Sequence, residues 1–234
     1  MELVRGYQPG LYSKSFTRPI HAGLVRNMGQ FPRFGRTCAV VGTSSTLMQR
    51  QYGNDIDLHD TVVRVNSVPL LQKYWRYTGV RDDVRIATYP LVPPANRNVR
   101  VVYYCHIPWY PSSCWESTRV DHHPRLSPTF VRQVQRTHAL RVWPTTGLIA
   151  FEVASRLCQN VTAYGFGIDR SFSNCSHYYN VGRDNTCVTA FGKKLGNSHQ
   201  NWEQYRGTWW HNFSYEAAFF TKIKPSSRGR SVRR

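Results

Sequence analysis

Strands alternating with helices predict an α/β protein: one domain on a twisted, mostly parallel sheet flanked by helices, with ligands beyond the strand carboxyl ends. Three observations point there. Short apolar, largely β-branched runs recur at TCAVV (37–41), TVVRV (61–65), VRIATY (84–89) and VRVVYY (99–104), the composition of strands. The run PTTGLIAFEVASRLC (144–158) places Ile149, Val153 and Leu157 on one helical stripe, with Ala150, Ala154 and Cys158 beside it. The chain has 234 residues, 41% of them hydrophobic, enough to bury the core of one such domain.

The elements follow in order. Residues 1–36 are rich in Arg, Gly, Pro and aromatics without a period and read as an extended leader or poorly packed arm. TCAVV ends at Gly42, and GTSST (42–46) is a turn in which Ser44 or Ser45 caps a short helix through LMQRQY. TVVRV is stopped by Asn66 and Pro69, and VRVVYY is preceded by the turn-rich PPANRN. Residues 105–126 read as loop. SPTFVRQVQRTH (127–138) reads as a helix with Ser127 as cap and Pro128 in its first turn. NVTAYGFG (160–167) returns as a strand, and SYEAAFFTKI (214–223) is a last helix before the basic KPSSRGRSVRR. The folded domain is placed at 37–224, between a leader at 1–36 and a basic tail at 225–234. There are no internal repeats.

Lys and Arg number 31 against 13 Asp and Glu, a net charge of +18. That field attracts polyanions, phosphorylated metabolites and anionic membrane surfaces without choosing among them. No run approaches the roughly 20 apolar residues of a membrane helix, and MELVRGYQPGLYSKSF has no hydrophobic signal region. The chain therefore reads as cytoplasmic if complete as written, or as lacking an upstream segment. Its cysteines are Cys38, Cys105, Cys114, Cys158, Cys175 and Cys187. The absence of any CxxC pair argues against a zinc knuckle, and the count leaves both disulfides and free buried thiols open.

Gly42 with its hydroxyl-rich turn and helix is one possible cradle for an anion, because a helix start offers unpaired N–H groups. PTTG (144–147) is a second. Two such turns in one sheet point to a single anionic ligand spanning both strand ends. The longer pattern is more specific. CAVVG (38–42) followed by GNDIDLHDTVVRVNSVP (53–69) resembles the large sialyl motif of the eukaryotic sialyltransferases, through Gly53, Ile56, Asp57, His59, Asp60, Val62, Arg64, Asn66 and Pro69. PTTGLIAFEVASRLCQNVTAYGFG resembles the small motif, HYYN (177–180) the third and HNFSYE (211–216) the very small one. The four stand in the family's order.

The resemblance implies a modified GT-A, Rossmann-like fold and an inverting, metal-independent glycosyltransferase that uses CMP-sialic acid and a glycan acceptor on glycoprotein or glycolipid. It implies His211 as general base, a task that suits an imidazole near neutral pH. It implies that His177 stabilises the departing CMP phosphate with Tyr178 or Tyr179. Donor-binding groups are expected at Asn66, at Thr43 and Ser44, and at Thr145, Thr146 and Gly147. Glu216, in the helix after His211, is expected either to orient or cap it or to be solvated. Asp57, Asp60 and Arg64 are expected as a buried structural network, because a carboxylate facing a phosphate would repel it, and His59 is read as structural. The family pattern further implies a Cys38–Cys158 disulfide and a Cys175–Cys187 bridge, leaving Cys105 with Cys114. Disulfides imply a Golgi-lumen protein whose N-terminal membrane anchor is missing from this chain.

Two features depart from the family pattern. Thr43, Ser44 and Ser45 stand where an Asn and a second Gly are usual, and KKLGNSHQNWEQYRGTWW (193–210) lengthens the interval before His211. A homologue that is inactive, or that uses another CMP-linked keto-sugar acid such as Kdo, is one alternative. A polyanion- or nucleic-acid-binding protein is another, although no zinc spacing or aromatic RNA-binding run is present. Of the three sequons, Asn160, Asn174 and Asn212, the last adjoins the expected base and is expected to stay unmodified.

Overall fold

The computed structural model describes residues 12–15, 25–26, 32–88, 99–105, 123–167, 175, 177–181 and 211–222. Its strands are β1 (Tyr12–Ser15), β2 (Val25–Arg26), β3 (Thr37–Val41), β4 (Thr61–Val65), β5 (Val84–Thr88), β6 (Arg100–Tyr104), β7 (Arg125–Leu126) and β8 (Asn160–Tyr164). They form one sheet in the order β1-β8-β3-β4-β5-β6-β7-β2. From β8 through β7 every neighbouring pair is parallel, while β1 on β8 and β2 on β7 are antiparallel. Parallel strands are covered on both faces, so they read as unbroken apolar runs; all five residues of β4 and of β5 are buried.

The helices are α1 (Gly53–Asp57), α2 (Trp75–Thr78), α3 (Pro128–Thr137), α4 (Thr146–Leu157) and α5 (Phe213–Lys222). In α4, Leu148, Ile149, Ala150, Phe151, Val153 and Ala154 are all buried. The helix is thus apolar over most of its girth rather than along one stripe, and it lies across β3, β4, β5 and β8. Ser127 caps α3 through its hydroxyl, which accepts from the Thr129 N–H at 3.2 Å.

Four local expectations differ from the structure. The segment after Gly42 is a short 3-10 turn, Ser45–Gln49, that ends where Arg50 turns extended. The five-residue α1 and four-residue α2 are too short to show a period in the sequence. Part of the stretch read as loop is β7, and the N-terminal segment read as an arm supplies both edge strands.

Cys38 and Cys158 form a disulfide with Cα atoms 6.1 Å apart, joining the beginning of β3 to the end of α4. Cys105 and Cys175 are also disulfide-bonded. Cys114, Cys187, the 193–210 stretch and the Asn174 sequon lie outside the described residues.

Asp57, the last residue of α1, and Asp60 beyond it are structural, but not as one buried network with Arg64. The Asp57 carboxylate accepts from the Val80 and Arg81 N–H groups at 2.9 and 3.0 Å. Exposed Asp60 accepts from the Thr37 N–H at 2.8 Å. Arg64 is fully buried and donates to the Arg81 and Thr78 carbonyls at 2.8 and 2.7 Å, pairing with neither aspartate. The link between these segments is Arg81, which donates to the Asp57, His59 and Asp60 carbonyls and pairs with Asp83 at 2.7 Å. His59 meets the Tyr164 hydroxyl at 3.1 Å.

Candidate active site

Parallel strands deliver their carboxyl ends to one edge of the sheet, and a cleft of about 450 Å³ lies there. It is lined by the turns after β3, β4 and β8, by the start of α4, and by the 177–179 and 211–220 segments. Among the expected site residues, Thr43, Ser44, Asn66, Thr145, Thr146, Gly147, His177, Tyr179 and His211 all line it. Tyr178 stands apart. It is fully buried, donates its hydroxyl to the Pro69 carbonyl at 2.8 Å and stacks edge-on against Tyr74, so its phenol supports the cleft wall from behind.

The first turn is tightly bound into the fold. Gly42 comes so close to β8 that a Cβ would sit 2.5 Å from the Gly165 carbonyl oxygen. The Ser44 hydroxyl donates to the Gly167 carbonyl at 2.7 Å and accepts from the Thr46 N–H at 3.2 Å. Its hydrogen is therefore already committed. The Thr43 carbonyl accepts the Tyr178 N–H at 2.9 Å, and Ser44 bridges His177 in antiparallel fashion. These bonds hold the third motif against the first turn, where the His177 ring stacks on Tyr179 with centroids 5.0 Å apart.

Asn66 follows β4 directly with a φ of +51°, a region that Asn enters more readily than most residues. Its Oδ1 accepts from the Thr88 N–H at 3.0 Å. The planar amide then has its Nδ2 left to present to the cleft.

At the start of α4, Thr145 is the N-cap, its hydroxyl accepting from the Leu148 N–H at 3.1 Å. That hydroxyl in turn donates to Glu216, whose other oxygen takes the Thr145 N–H at 2.9 Å. Glu216 is thus fixed on the helix start rather than on His211. It is 5% exposed, and burial pushes its carboxyl up to about 7 against the pull of the Thr145 hydrogen bonds. Thr146 pairs with the Thr88 hydroxyl at 2.6 Å. Gly147 leaves room for Phe166, whose ring would lie 2.9 Å from an added Cβ.

His211 sits just before α5. Asn212 caps that helix by accepting the Tyr215 N–H at 3.0 Å. The His211 Nδ1 lies 2.8 Å from the Trp143 carbonyl oxygen, an acceptor only, so Nδ1 carries the proton and Nε2 the lone pair. Burial lowers the imidazole pKa below its ordinary value, and the bond to Trp143 partly offsets this. Among the described residues lining the cleft there is no Lys or Arg; an anion there meets N–H, hydroxyl and amide donors. Nor, among the described residues, is there a group of His, Cys, Asp or Glu arranged to hold a metal ion.

Sequence reading missed Thr88, which touches both Asn66 and Thr146, and the carbonyl of Trp143. Thr88 lies in no motif, and a carbonyl carries no residue-type signal at all.

The model of glycosyltransferase family 29 (sialyltransferase) matches residues 14–107 and 95–227. A rice sialyltransferase-like protein 5 is 30% identical over 159 residues, 65% of this chain and 31% of the rice protein. The human CMP-N-acetylneuraminate-beta-galactosamide-alpha-2,3-sialyltransferase 1 is 30% identical over 186 residues, 68% of this chain and 51% of that protein. This chain therefore spans between about a third and about a half of these relatives. The crystal structure of a mammalian sialyltransferase superposes with a TM-score of 0.57 at 21% identity, covering 80% of this chain and 65% of that one. It supports the same α/β, Rossmann-like fold. The chain belongs to glycosyltransferase family 29, the sialyltransferases.

Proposed function

We propose that this chain is an inverting glycosyltransferase that moves sialic acid from CMP-sialic acid to a hydroxyl of a terminal galactose or related sugar on a glycoprotein or glycolipid. The observation that carries the proposal is the His211 tautomer. With Nδ1 donating to Trp143, Nε2 is left basic in a cleft that also holds Asn66 and the start of α4.

In the reaction, Nε2 takes the proton of the acceptor hydroxyl as its oxygen attacks the anomeric carbon of the donor from the face opposite CMP. The bond from that carbon to the phosphate oxygen breaks, and its electron pair leaves on CMP. His177, stacked on Tyr179, meets the charge growing on the phosphate. Thr43, Asn66 and the α4 start at Thr146 and Gly147 hold the donor through neutral hydrogen-bond donors; Ser44 and Thr145 shape the two turns, since the Ser44 hydroxyl and N–H are engaged by Gly167 and Gly165 and the Thr145 hydroxyl and N–H by Glu216. No metal or organic cofactor enters this scheme.

The bonded state of Cys38, Cys105, Cys158 and Cys175 supports an oxidising compartment. We place the domain in the Golgi lumen, as the soluble part of a type II membrane protein. No described helix is long and apolar enough to cross a membrane. CMP-Kdo, another CMP-linked keto-sugar acid, is kept as a second donor in the test.

The test is CMP release by the oxidatively folded protein from CMP-sialic acid and CMP-Kdo, with and without a galactose-terminated acceptor, beside His211→Ala. Acceptor-dependent release from CMP-sialic acid that the substitution abolishes is the expected result. Release from CMP-Kdo alone would replace the donor, and CMP binding without release would mark an inactive homologue.

A further inference from the structure

The groups assigned to the donor come from separate segments of chain, and one residue outside all four motifs touches two of them. Thr88, the last residue of β5, is 7% exposed. Its N–H donates to Asn66 Oδ1 at 3.0 Å, and its hydroxyl lies 2.6 Å from that of Thr146. The first bond fixes which way the Asn66 amide faces, since only an oxygen can accept from an N–H. The second bears on Thr146. If Thr88 gives its hydrogen to Thr146, the Thr146 hydrogen remains for an anionic oxygen, and a hydroxyl that accepts one hydrogen bond donates the next more strongly.

The frame behind this pair is stiff. The Asn66 carbonyl accepts from Arg85 Nη1 at 2.8 Å. Arg85 is 1% exposed and ion-paired with Asp82 at 2.5 Å. The Asn66 N–H in turn donates to the Ile86 carbonyl at 2.9 Å. The backbone of Asn66 is therefore held on both sides, and only its side chain is left to be set by Thr88.

We propose that Thr88 is a positioning residue for donor binding, locking the Asn66 amide and the Thr146 hydroxyl into one arrangement that receives the nucleotide and phosphate of the donor. The proposal rests on the CMP-sugar reading given above. It adds a residue that touches no substrate and acts through two that do.

The experiment compares wild type, Thr88→Val and Thr88→Ser in the oxidised full chain. CMP binding is measured by calorimetry, and the KM for donor and for acceptor by CMP release. Thr88→Val, which keeps the shape and removes the hydroxyl, is expected to weaken CMP binding about tenfold. Donor KM is expected to rise in the same ratio with acceptor KM unchanged, and Thr88→Ser to restore both to within about twofold. In the ligand-free protein, the methyl and amide resonances of Thr146 are expected to shift in Thr88→Val and return in Thr88→Ser, while the Asn66 side-chain amide, held by the Thr88 N–H that both variants keep, stays in place. CMP binding by Thr88→Val equal to wild type, or a loss in Thr88→Ser as large as in Thr88→Val, overturns the proposal. Should wild type bind no CMP, the sialyltransferase reading fails, and the ligand-free resonances decide the coupling alone: a Thr146 signal unmoved by Thr88→Val rejects it. If Thr88→Val does not fold, Thr88→Ala replaces it with the same expected outcomes.

Discussion

The turn after β3 and the turn before α4 look alike in sequence, GTSS against PTTG, yet the fold uses them differently. In the first, the Ser44 hydroxyl closes the turn on itself and on Gly167, and a 3-10 segment of five residues follows. In the second, Thr145 caps a twelve-residue α-helix while Glu216 holds its N–H and hydroxyl from another element. A hydroxyl counts toward a ligand only after its internal partners are subtracted. By that measure Ser44 and Thr145 are both joints, Ser44 tying the first turn to the end of β8 and Thr145 tying α4 to α5, and the second turn keeps the N–H groups of Thr146 and Gly147 at a helix start for a ligand.

Removing the covalent tie behind both turns should have the largest effect. The Cys38–Cys158 bridge closes a separation of 120 residues. Cys38→Ser with Cys158→Ser is expected to cost about 4 to 5 kcal/mol of stability on the chain-entropy account, read from denaturant unfolding without reductant. A loss under about 1 kcal/mol would mean that β3 and α4 are held by packing alone.

The Glu216 carboxylate distinguishes the second turn from the first by its charge. Its folded pKa, about 7, lies above the ordinary 4.5. The protonated form is therefore favoured by folding, and its contribution to stability is full below about 4.5 and lost as pH rises through about 7. Stability measured across that window should fall by on the order of 3 kcal/mol more in wild type than in Glu216→Gln. Parallel curves for the two proteins would show that the carboxyl is not perturbed.

The two glycines sharpen the comparison further. Gly42→Ala drives a Cβ into the Gly165 backbone and is expected to cost about 3 kcal/mol. Gly147→Ala meets the edge of a Phe166 side chain rather than backbone, and is expected to cost about 1 kcal/mol while weakening CMP binding more than its stability loss suggests. Equal stability losses in thermal unfolding would contradict the difference drawn here.

His211 supplies the smallest of these shifts. Its pKa is lowered by burial, so the acid limb of the rate should fall below the ordinary histidine value of about 6.5. A pH profile of donor turnover with its acid limb above that value would point to another base.

Much of this was legible beforehand where a residue's type reports its role. The runs TVVRV and TCAVV match β4 and β3 to the residue, because a strand buried on both faces leaves an unbroken apolar signature. The clustering of Asn66, Thr146, His177 and His211 in one cleft was expected from motif resemblance, and their roles are the subject of the tests above. What the sequence hid was pairing. Arg81 acts on carbonyls, Thr88 acts through its own N–H as well as its hydroxyl, and Glu216 reaches Thr145 across 71 positions. None of these partners is adjacent in the chain, and none is defined by a spacing. The edge strands were hidden for a related reason: β1 and β2 have four and two residues, too few to show alternation.

Those two strands have a consequence for how copies of this protein meet one another. A parallel sheet has two open flanks, each a row of unpaired backbone groups ready to recruit a strand from another molecule. Here the N-terminal strands Tyr12–Ser15 and Val25–Arg26 supply the antiparallel border at both flanks, β1 beside β8 and β2 beside β7. Trimming the chain back to Thr37 would strip both borders in a single cut. The first symptom should be self-association through β8 and β7, ahead of any loss of the core.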